Sequence, residues 1–536
     1  MTNTNPIAVV DATAAGKGKR QFTRDAIGCG VRSVCGILEQ NGIASQILLA
    51  EDVLEKGFQQ NFSTLFLSGM SMDKIAIRKI VFLWRKKFPG KVVVGGPITA
   101  ELEDALLSTT ADLIAIGEGE YTLQELIESN FLISKNFDSI KNITGIGYLD
   151  NKNKPKINPF RKYSSREEFR SFQASTKKIT NYPHYFFAKV YVECVRGCSN
   201  FGGTRIKLPD GRECSECGSC NNDSLEDRAN CPSSIPLGCG FCSVPSLYGP
   251  SRSKPVDAIV SEVKELLNLG VKRIILSAPD FLDYERDALV SPEPLINPIK
   301  PAANLSKIEE LLEKLTSLPR VSQCKAWIEV ENIKASLFTE ATAKIISKYL
   351  PGSSFSIGCE TGSITHARLL GRPSDPNDTL RAVKIASKCG LKAHVYFIHS
   401  LPGQTKQTAI ETAELIRKIN PFIEKVTIYR FRPLPLSAFG DFEEPIAAVK
   451  NPISQIISDA ANEVNLSKKK DFVGEILRVI ISEINYRDET GTIANILSGG
   501  PMVAVPNSRD KIGEILNVKI TKVLSDKLLL GVIYGK

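Results

Sequence analysis

The chain has 536 residues, 42% of them hydrophobic and 24% charged, with a formal net charge of +9. That length and composition place it among globular proteins of roughly two to four domains and exclude a low-complexity or fibrous chain. The positive excess is thin for this length, so it selects neither nucleic acid, phospholipid headgroups nor acidic proteins as a partner. No stretch approaches about 18 uninterrupted apolar residues, so no transmembrane segment is expected. Met1 to Pro6 is polar and no apolar leader follows. The expected setting is therefore cytoplasmic, with thiols kept reduced and available for metal.

In chain order, residues 1–150 alternate strands and helices. Ile7 to Val10, Leu65 to Gly69, Val92 to Pro97 and Leu113 to Gly117 read as buried strands, with helical patterns at Lys74 to Lys87 and Glu101 to Leu107. Such alternation predicts an α/β domain with a parallel sheet, whose ligands sit at the carboxyl ends of the strands. Those ends carry Ser68-Gly69, Gly95-Gly96-Pro97 and Gly117-Glu118-Gly119-Glu120. Their glycines either let a backbone approach a bulky ligand or merely turn the chain. Residues 151–185, rich in Lys, Asn, Ser and Pro, read as a linker.

A strand at Phe187 to Glu193 opens the next region, 186–460. Further strands are expected at Arg273 to Leu276, Ala326 to Val330, Ser354 to Gly358, Ala393 to Phe397 and Lys425 to Tyr429, with helices at Val256 to Leu269, Ala341 to Tyr349 and Thr379 to Cys389. Repeated βα units predict a full or partial α/β barrel. After Leu466-Ser467-Lys468-Lys469-Lys470 the pattern becomes β-rich, and 466–536 is expected to form a small OB-like β-barrel.

Eight of the thirteen cysteines lie between Cys194 and Cys242. Cys231, Cys239 and Cys242 form a Cys-x7-Cys-x2-Cys run just after the first barrel strand. Three thiolates can hold three irons of a [4Fe–4S] cluster and leave the fourth open to a substrate. Phe241, inside that loop, is placed to stack on a planar ligand. Upstream, Cys214, Cys217 and Cys220 have the tight spacing of ferredoxin-type ligands, with Cys198 or Cys194 as a fourth. Zinc is the rival for this second group. Cys29, Cys35, Cys324, Cys359 and Cys389 read as core residues.

Val195-Arg196-Gly197-Cys198 followed by Gly240-Phe241-Cys242-Ser243-Val244-Pro245 resembles the cluster loop of the radical S-adenosylmethionine (SAM) superfamily, split by an insertion at 194–231. The usual spacing there is Cys-x3-Cys-x2-Cys, so the first ligand is Cys231 or Cys198. Cys231 is preferred because its loop is shorter and closes at lower entropic cost. The resemblance continues in Ile357-Gly358-Cys359-Glu360-Thr361-Gly362-Ser363, Gly371-Arg372-Pro373, His399 to Thr405 and Tyr429 to Pro433. It implies that Glu360 binds ribose hydroxyls or an ammonium group. It also implies that the Ser277-Ala278-Pro279-Asp280 segment stands where the methionine amino group is held. Gly95-Gly96-Pro97 and Gly117-Glu118-Gly119-Glu120 resemble a cobalamin-binding domain, implying Gly95, Gly96 and Gly117 as cofactor contacts, although no Asp-x-His-x-x-Gly motif supplies a cobalt ligand. The segments Gly500 to Pro506 and Gly513 to Ile520 resemble a TRAM domain.

The resemblance implies SAM and a [4Fe–4S] cluster as cofactors, a second cluster, cobalamin as an optional one, and an electron donor such as ferredoxin. A 5′-deoxyadenosyl radical would take hydrogen from an unactivated carbon. Domain order, the cysteine-rich insertion and the tail together look most like archaeal glycerol dialkyl glycerol tetraether (GDGT) ring synthases, which implies cyclopentane formation in a membrane lipid by an enzyme with peripheral membrane access. The alternatives are cobalamin-dependent methylation of a glutamine in methyl-coenzyme M reductase and tRNA methylthiolation. A different class is a non-catalytic iron–sulfur or zinc protein that contacts RNA through its basic tail.

Overall fold

The computed structural model describes residues 5–20, 25–132, 137–150, 152–485, 488, 490–525 and 527–535; Met1 to Thr4 of the polar start lie outside them. The chain divides into two compact units. The first is 1–192 with 247–249 and 257–270, and the second is 193–246, 250–256 and 271–536.

The first unit is built on a seven-stranded sheet. Its strands are β1 (Ile7–Asp11), β3 (Ser45–Leu49), β4 (Leu65–Ser68), β5 (Val92–Gly95), β6 (Leu113–Ala115), β7 (Ile146–Leu149) and β8 (Pro155–Ile157), in the order β3-β1-β4-β5-β6-β7-β8. β2 (Ala26–Ile27) lies outside it and pairs in parallel with β9 (Lys189–Glu193). Five strands of the large sheet are parallel, as the alternation predicts, and β7 and β8 add antiparallel pairs at one edge. All of β1 is buried, as expected when helices cover both faces of a parallel sheet. The helix Lys74–Lys87 buries Ile77, Ile80, Val81 and Trp84 on one stripe and ends in Arg85, Lys86 and Lys87, whose charges suit the negative end of the helix dipole.

The stretch 151–185 is not a free connector. It supplies β8, the helix Arg166–Ser171 and Tyr182, whose hydroxyl donates to Asp11 Oδ2 at 3.0 Å. Composition suggested a linker; a few apolar anchors among polar residues suffice to fold it onto the sheet. Ser45–Leu49 also escaped the sequence reading, because its mixed Ser-Gln-Ile-Leu-Leu pattern shows neither clean period.

In the second unit β10 (Val195–Arg196) and β11 (Arg252–Ser253) form a short antiparallel pair. The parallel strands follow: β12 (Arg273–Ser277) with β13 (Trp327–Val330), and β14 (Ser354–Glu360) with β15 (Lys392–His399) and β16 (Lys425–Arg430). A single parallel bridge, Asn332 to Ser356, links the two groups. The arrangement is a partial barrel.

The tail forms a closed five-stranded barrel of β17 (Ile476–Ile484), β18 (Thr492–Ile496), β19 (Met502–Val505), β20 (Ile515–Ser525) and β21 (Leu528–Ile533). Alternation sets its core: Val518 and Ile520 are buried while Asn517 and Lys519 face out. It docks on the amino-terminal ends of the larger barrel's strands. Arg478 donates to Cys324 O at 2.7 Å and stacks over Trp327, Lys392 donates to Ser498 Oγ at 3.2 Å, and Lys272 bonds Gly513 O.

Candidate active site

Parallel strands deliver their carboxyl ends to one side, and here those ends are polar. Ser277 closes β12, Glu331 follows β13, Glu360 closes β14, His399 closes β15 and Arg430 closes β16. Ser277 Oγ and the Ala278 amide both donate to Glu331 Oε2, at 2.8 and 3.2 Å. Burial raises the Glu331 pKa, and these two bonds oppose that rise. Glu360 adopts φ +67°, a left-handed conformation that costs a non-glycine residue energy and holds its carboxylate at the mouth. Burial raises its pKa too, against the pull of Arg372, whose Nη1 lies 3.7 Å from Glu360 Oε1.

Arg372 ties this mouth to the cysteine loop. Its Nη1 donates to Cys239 Sγ at 3.5 Å, its Nη2 bonds Gly358 O, and its guanidinium lies 5.8 Å from the centre of the Phe241 ring. Asn200 Nδ2 donates to Cys239 Sγ at 3.2 Å and to Gly371 O at 3.0 Å, and the Asn200 amide donates to Cys198 Sγ at 3.3 Å. Gly240 is pressed against the Phe439 ring, where a Cβ would come within 2.3 Å.

Cys198, Cys239 and Cys242 therefore share one environment. Cys239 is buried. Cys198 and Cys242 keep some exposed surface, yet burial of the sulfurs pushes Cys198 up to about 11 and Cys242 up to about 12, with Cys239 raising both further. Lys334 partly opposes this at Cys198. Its Nζ lies 2.7 Å from Ser199 Oγ, 3.1 Å from Asp280 Oδ2 and 3.5 Å from Asp283 Oδ1, all buried.

Cys231 stands elsewhere. It lines one cavity of about 540 Å³ together with Cys214, Cys217 and Cys220. Loop-closure cost favoured Cys231 beside Cys239, but that cost grows slowly: a loop about five times longer costs only about 1.4 kcal/mol more. The insertion also closes its own neck, where the Gly238 amide donates to Gly202 O at 2.6 Å. The structure thus groups Cys198 with Cys239 and Cys242, and Cys231 with the upstream three. Cys194 is buried, and its amide donates to Ser277 O at 2.9 Å. Cys324, read as a core residue, is exposed.

Among the described residues no three Cys, His, Asp or Glu side chains converge on a single ion position. Thiolates on one zinc at about 2.3 Å would stand ~3.8 Å apart, whereas a cluster carrying one thiolate per iron takes a wider set. The donor set, thiols with amide and guanidinium donors on Cys239 Sγ, suits the charge of a cluster that carries one thiolate per iron.

In the first unit, Gly96 and Gly117 have φ +84° and +74°, and a Cβ on either would press on Ser68 Oγ at 2.9 Å or Leu247 O at 3.0 Å. Turn geometry and close packing account for these two. Gly95 has open space where a Cβ would point.

Comparison with known proteins decides the family. The radical SAM superfamily profile matches residues 235–416, and the TRAM domain profile matches 470–533. An uncharacterized protein of Methanocaldococcus jannaschii is 42% identical over 98% of this chain and 97% of its own length. The chain belongs to the same family as that protein, and it carries a radical SAM domain and a TRAM domain. Radical SAM membership implies a [4Fe–4S] cluster and SAM. A tRNA-2-methylthio-N(6)-dimethylallyladenosine synthase of Clostridium novyi is 24% identical over 54% of this chain and 60% of its own. Among solved structures, the radical SAM methyltransferase TsrM of Kitasatospora setae, with cobalamin and a [4Fe–4S] cluster bound, superposes with a TM-score of 0.57 at 12% identity, covering 82% of this chain and 74% of its own. That likeness establishes a shared fold.

Two side chains near this mouth escaped the sequence reading. Glu331 and Lys334 sit just beyond β13, in Glu331-Asn332-Ile333-Lys334, and only an acidic residue closing a predicted strand hinted at the first. Arg372 was visible within a motif, but its contact with Cys239 spans 133 residues.

Proposed function

We propose that this radical SAM enzyme binds its SAM-cleaving cluster through Cys198, Cys239 and Cys242, and that it removes two hydrogens from unactivated carbons to close a carbon–carbon bond. The carrying observation is the shared burial of those three sulfurs beneath the polar strand ends. When bound, the cluster would supply one electron for each cleavage of SAM to methionine and a 5′-deoxyadenosyl radical, and since each radical takes one hydrogen, closing one bond uses two SAM and two electrons. The chain's own residues do the rest. Glu331, fixed by Ser277 and Ala278, and Glu360 offer acceptors to the ammonium and hydroxyls of SAM. Arg372 holds Cys239 and Phe241 in place, and Phe241 gives the adenine a ring to stack on. The surrounding core excludes water and competing hydrogen donors.

The substrate to test first is the hydrocarbon chain of an archaeal tetraether lipid, with cyclopentane as the product, as in the GDGT ring synthases that the domain order resembles. The polar strand ends do not oppose this, because a zwitterionic, hydroxyl-bearing cofactor needs them. The segment leaving β16 carries exposed Leu434, Ile446 and Val449, apolar surface suited to a lipid or a membrane face. A ferredoxin-type donor would supply electrons.

Methyl transfer is the second reading, favoured by the likeness of fold to TsrM and by the open space above Gly95, where cobalamin would lie. A tRNA substrate presented by the TRAM domain fits less well. The domain docks at the strand ends opposite the cysteines, about 20 Å away for strands of this length. Exposed Lys519, Lys522 and Lys527 suit phosphate contacts that anchor the enzyme, not ones that feed the site.

Anaerobic incubation of reconstituted protein with SAM, reductant and tetraether lipid, read by mass spectrometry, tests the proposal. A lipid lighter by two hydrogens supports it. A lipid heavier by one methyl group favours the second reading. Deoxyadenosine without any lipid change rules out the lipid.

A further inference from the structure

We propose that Cys214, Cys217, Cys220 and Cys231 together hold a second, fully thiolate-ligated [4Fe–4S] cluster, joined to the SAM-binding site through Arg372. The inference rests on the reading above for the first cluster and adds a site with its own ligands and surroundings.

The four cysteines come from a single excursion of the chain and line one cavity of about 540 Å³. The floor of that cavity is backbone brought unusually close. Gly371, at φ +75°, lies so near Gly203 that a Cβ on it would stand 2.8 Å from Gly203 O, and a Cβ on Gly203 would face Cys220 Sγ at 3.8 Å. The Arg205 amide donates to Leu369 O at 2.8 Å, which fixes the insertion to the helix Ile364–Leu369.

The charges suit the ligand. A cube bearing four thiolates carries net negative charge, which a partly buried site must offset with donors and cations. Arg205, Arg368 and Arg372 line the cavity. The Arg228 guanidinium is buried beside this loop, where its Nε donates to Asn222 O at 2.7 Å. Cys217 is exposed, and Ser219 Oγ lies 3.3 Å from its sulfur. The second cluster thus has one ligand at the surface, open to an electron-transfer protein. Its inner wall is Arg372, the residue that also bonds Cys239. The spacing Cys-x2-Cys-x2-Cys with a later fourth cysteine follows ferredoxin practice more closely than the paired Cys-x2-Cys of zinc sites.

The test is metal analysis of the full-length protein reconstituted anaerobically with iron and sulfide, with Mössbauer and EPR spectra taken with and without SAM. Two clusters give about eight irons per chain. Cys231→Ala and Cys220→Ala are expected to halve the iron and keep the SAM-responsive signal. Cys198→Ala is expected to halve it as well, and to lose that signal. One zinc beside a single iron cluster in the wild type would overturn the proposal. So would loss of the SAM response in Cys231→Ala with its retention in Cys198→Ala. If the wild type binds two clusters and neither responds to SAM, the second centre stands and the proposed function fails. If a single variant does not fold, as judged by circular dichroism, the iron and zinc content of the wild type decides.

Discussion

The two cysteine groups sit close in sequence but in opposite surroundings. Cys198, Cys239 and Cys242 lie under the strand ends, where burial raises two of the thiols and a buried lysine, an asparagine and an arginine attend the sulfurs. Cys214, Cys217, Cys220 and Cys231 line a cavity built largely from the insertion, and Cys217 is exposed. The difference separates two kinds of chemistry. A site that must bind a cofactor at an open iron and exclude water needs the first environment. A site that only passes electrons, with every iron ligated, tolerates the second.

The largest effect expected on this contrast comes from Cys239→Ala. It should bring 5′-deoxyadenosine formation to background, measured by chromatography of quenched reactions; a variant still cleaving SAM at the wild-type rate would dissolve the distinction. Next is Lys334→Met. Removing the ammonium leaves Asp280 and Asp283 buried with Arg286 as their remaining close cation, at a cost of about 3–5 kcal/mol in urea denaturation. By contrast, Arg205→Met at the cavity rim, where Glu216 Oε1 lies 3.7 Å away on an exposed surface, should cost less than about 0.5 kcal/mol. Equal costs would mean that the two environments are not so different.

Gly371→Ala probes the wall between the groups. A methyl group there meets Gly203 O in a left-handed backbone, and about 1–3 kcal/mol of destabilisation is expected, with iron lost to a chelator faster than from the wild type. Unchanged stability and iron retention would show that the wall yields.

The smallest effect concerns pH and falls only on the deep side, since the insertion contains no histidine. His366, whose Nε2 lies 2.8 Å from Pro402 O, and His399 both have pKa values lowered by burial, with Arg430 adding to the effect at His399. The unfolded chain then takes up protons that the folded one refuses. Stability should therefore hold above about pH 6.5 and fall as pH drops through that value. Denaturant midpoints measured across this range in wild type and His366→Gln check it. A wild type whose stability does not change would contradict the assignment.

Much of the architecture was legible because it is local. The buried strands and the stripe Ile77, Ile80, Val81 and Trp84 declare themselves by period, and the tail barrel by alternation. What was not legible depends on distant pairing. Cys231 looks like a neighbour of Cys239 until the bond between Gly238 and Gly202 closes the insertion and returns Cys198 to that place. Lys334 looks like any surface lysine until Asp280, Asp283 and Ser199 surround it. Polar composition hid the folded segment at 151–185, since a few anchors such as Tyr182 carry it.

The most direct test is 5′-deoxyadenosine production under anaerobic reduction, compared between wild type, Cys198→Ala, and Cys324→Ala as an exposed cysteine outside both groups. The account predicts product from the wild type and from Cys324→Ala, and none from Cys198→Ala. No product from any of them, or wild-type output from Cys198→Ala, would contradict it.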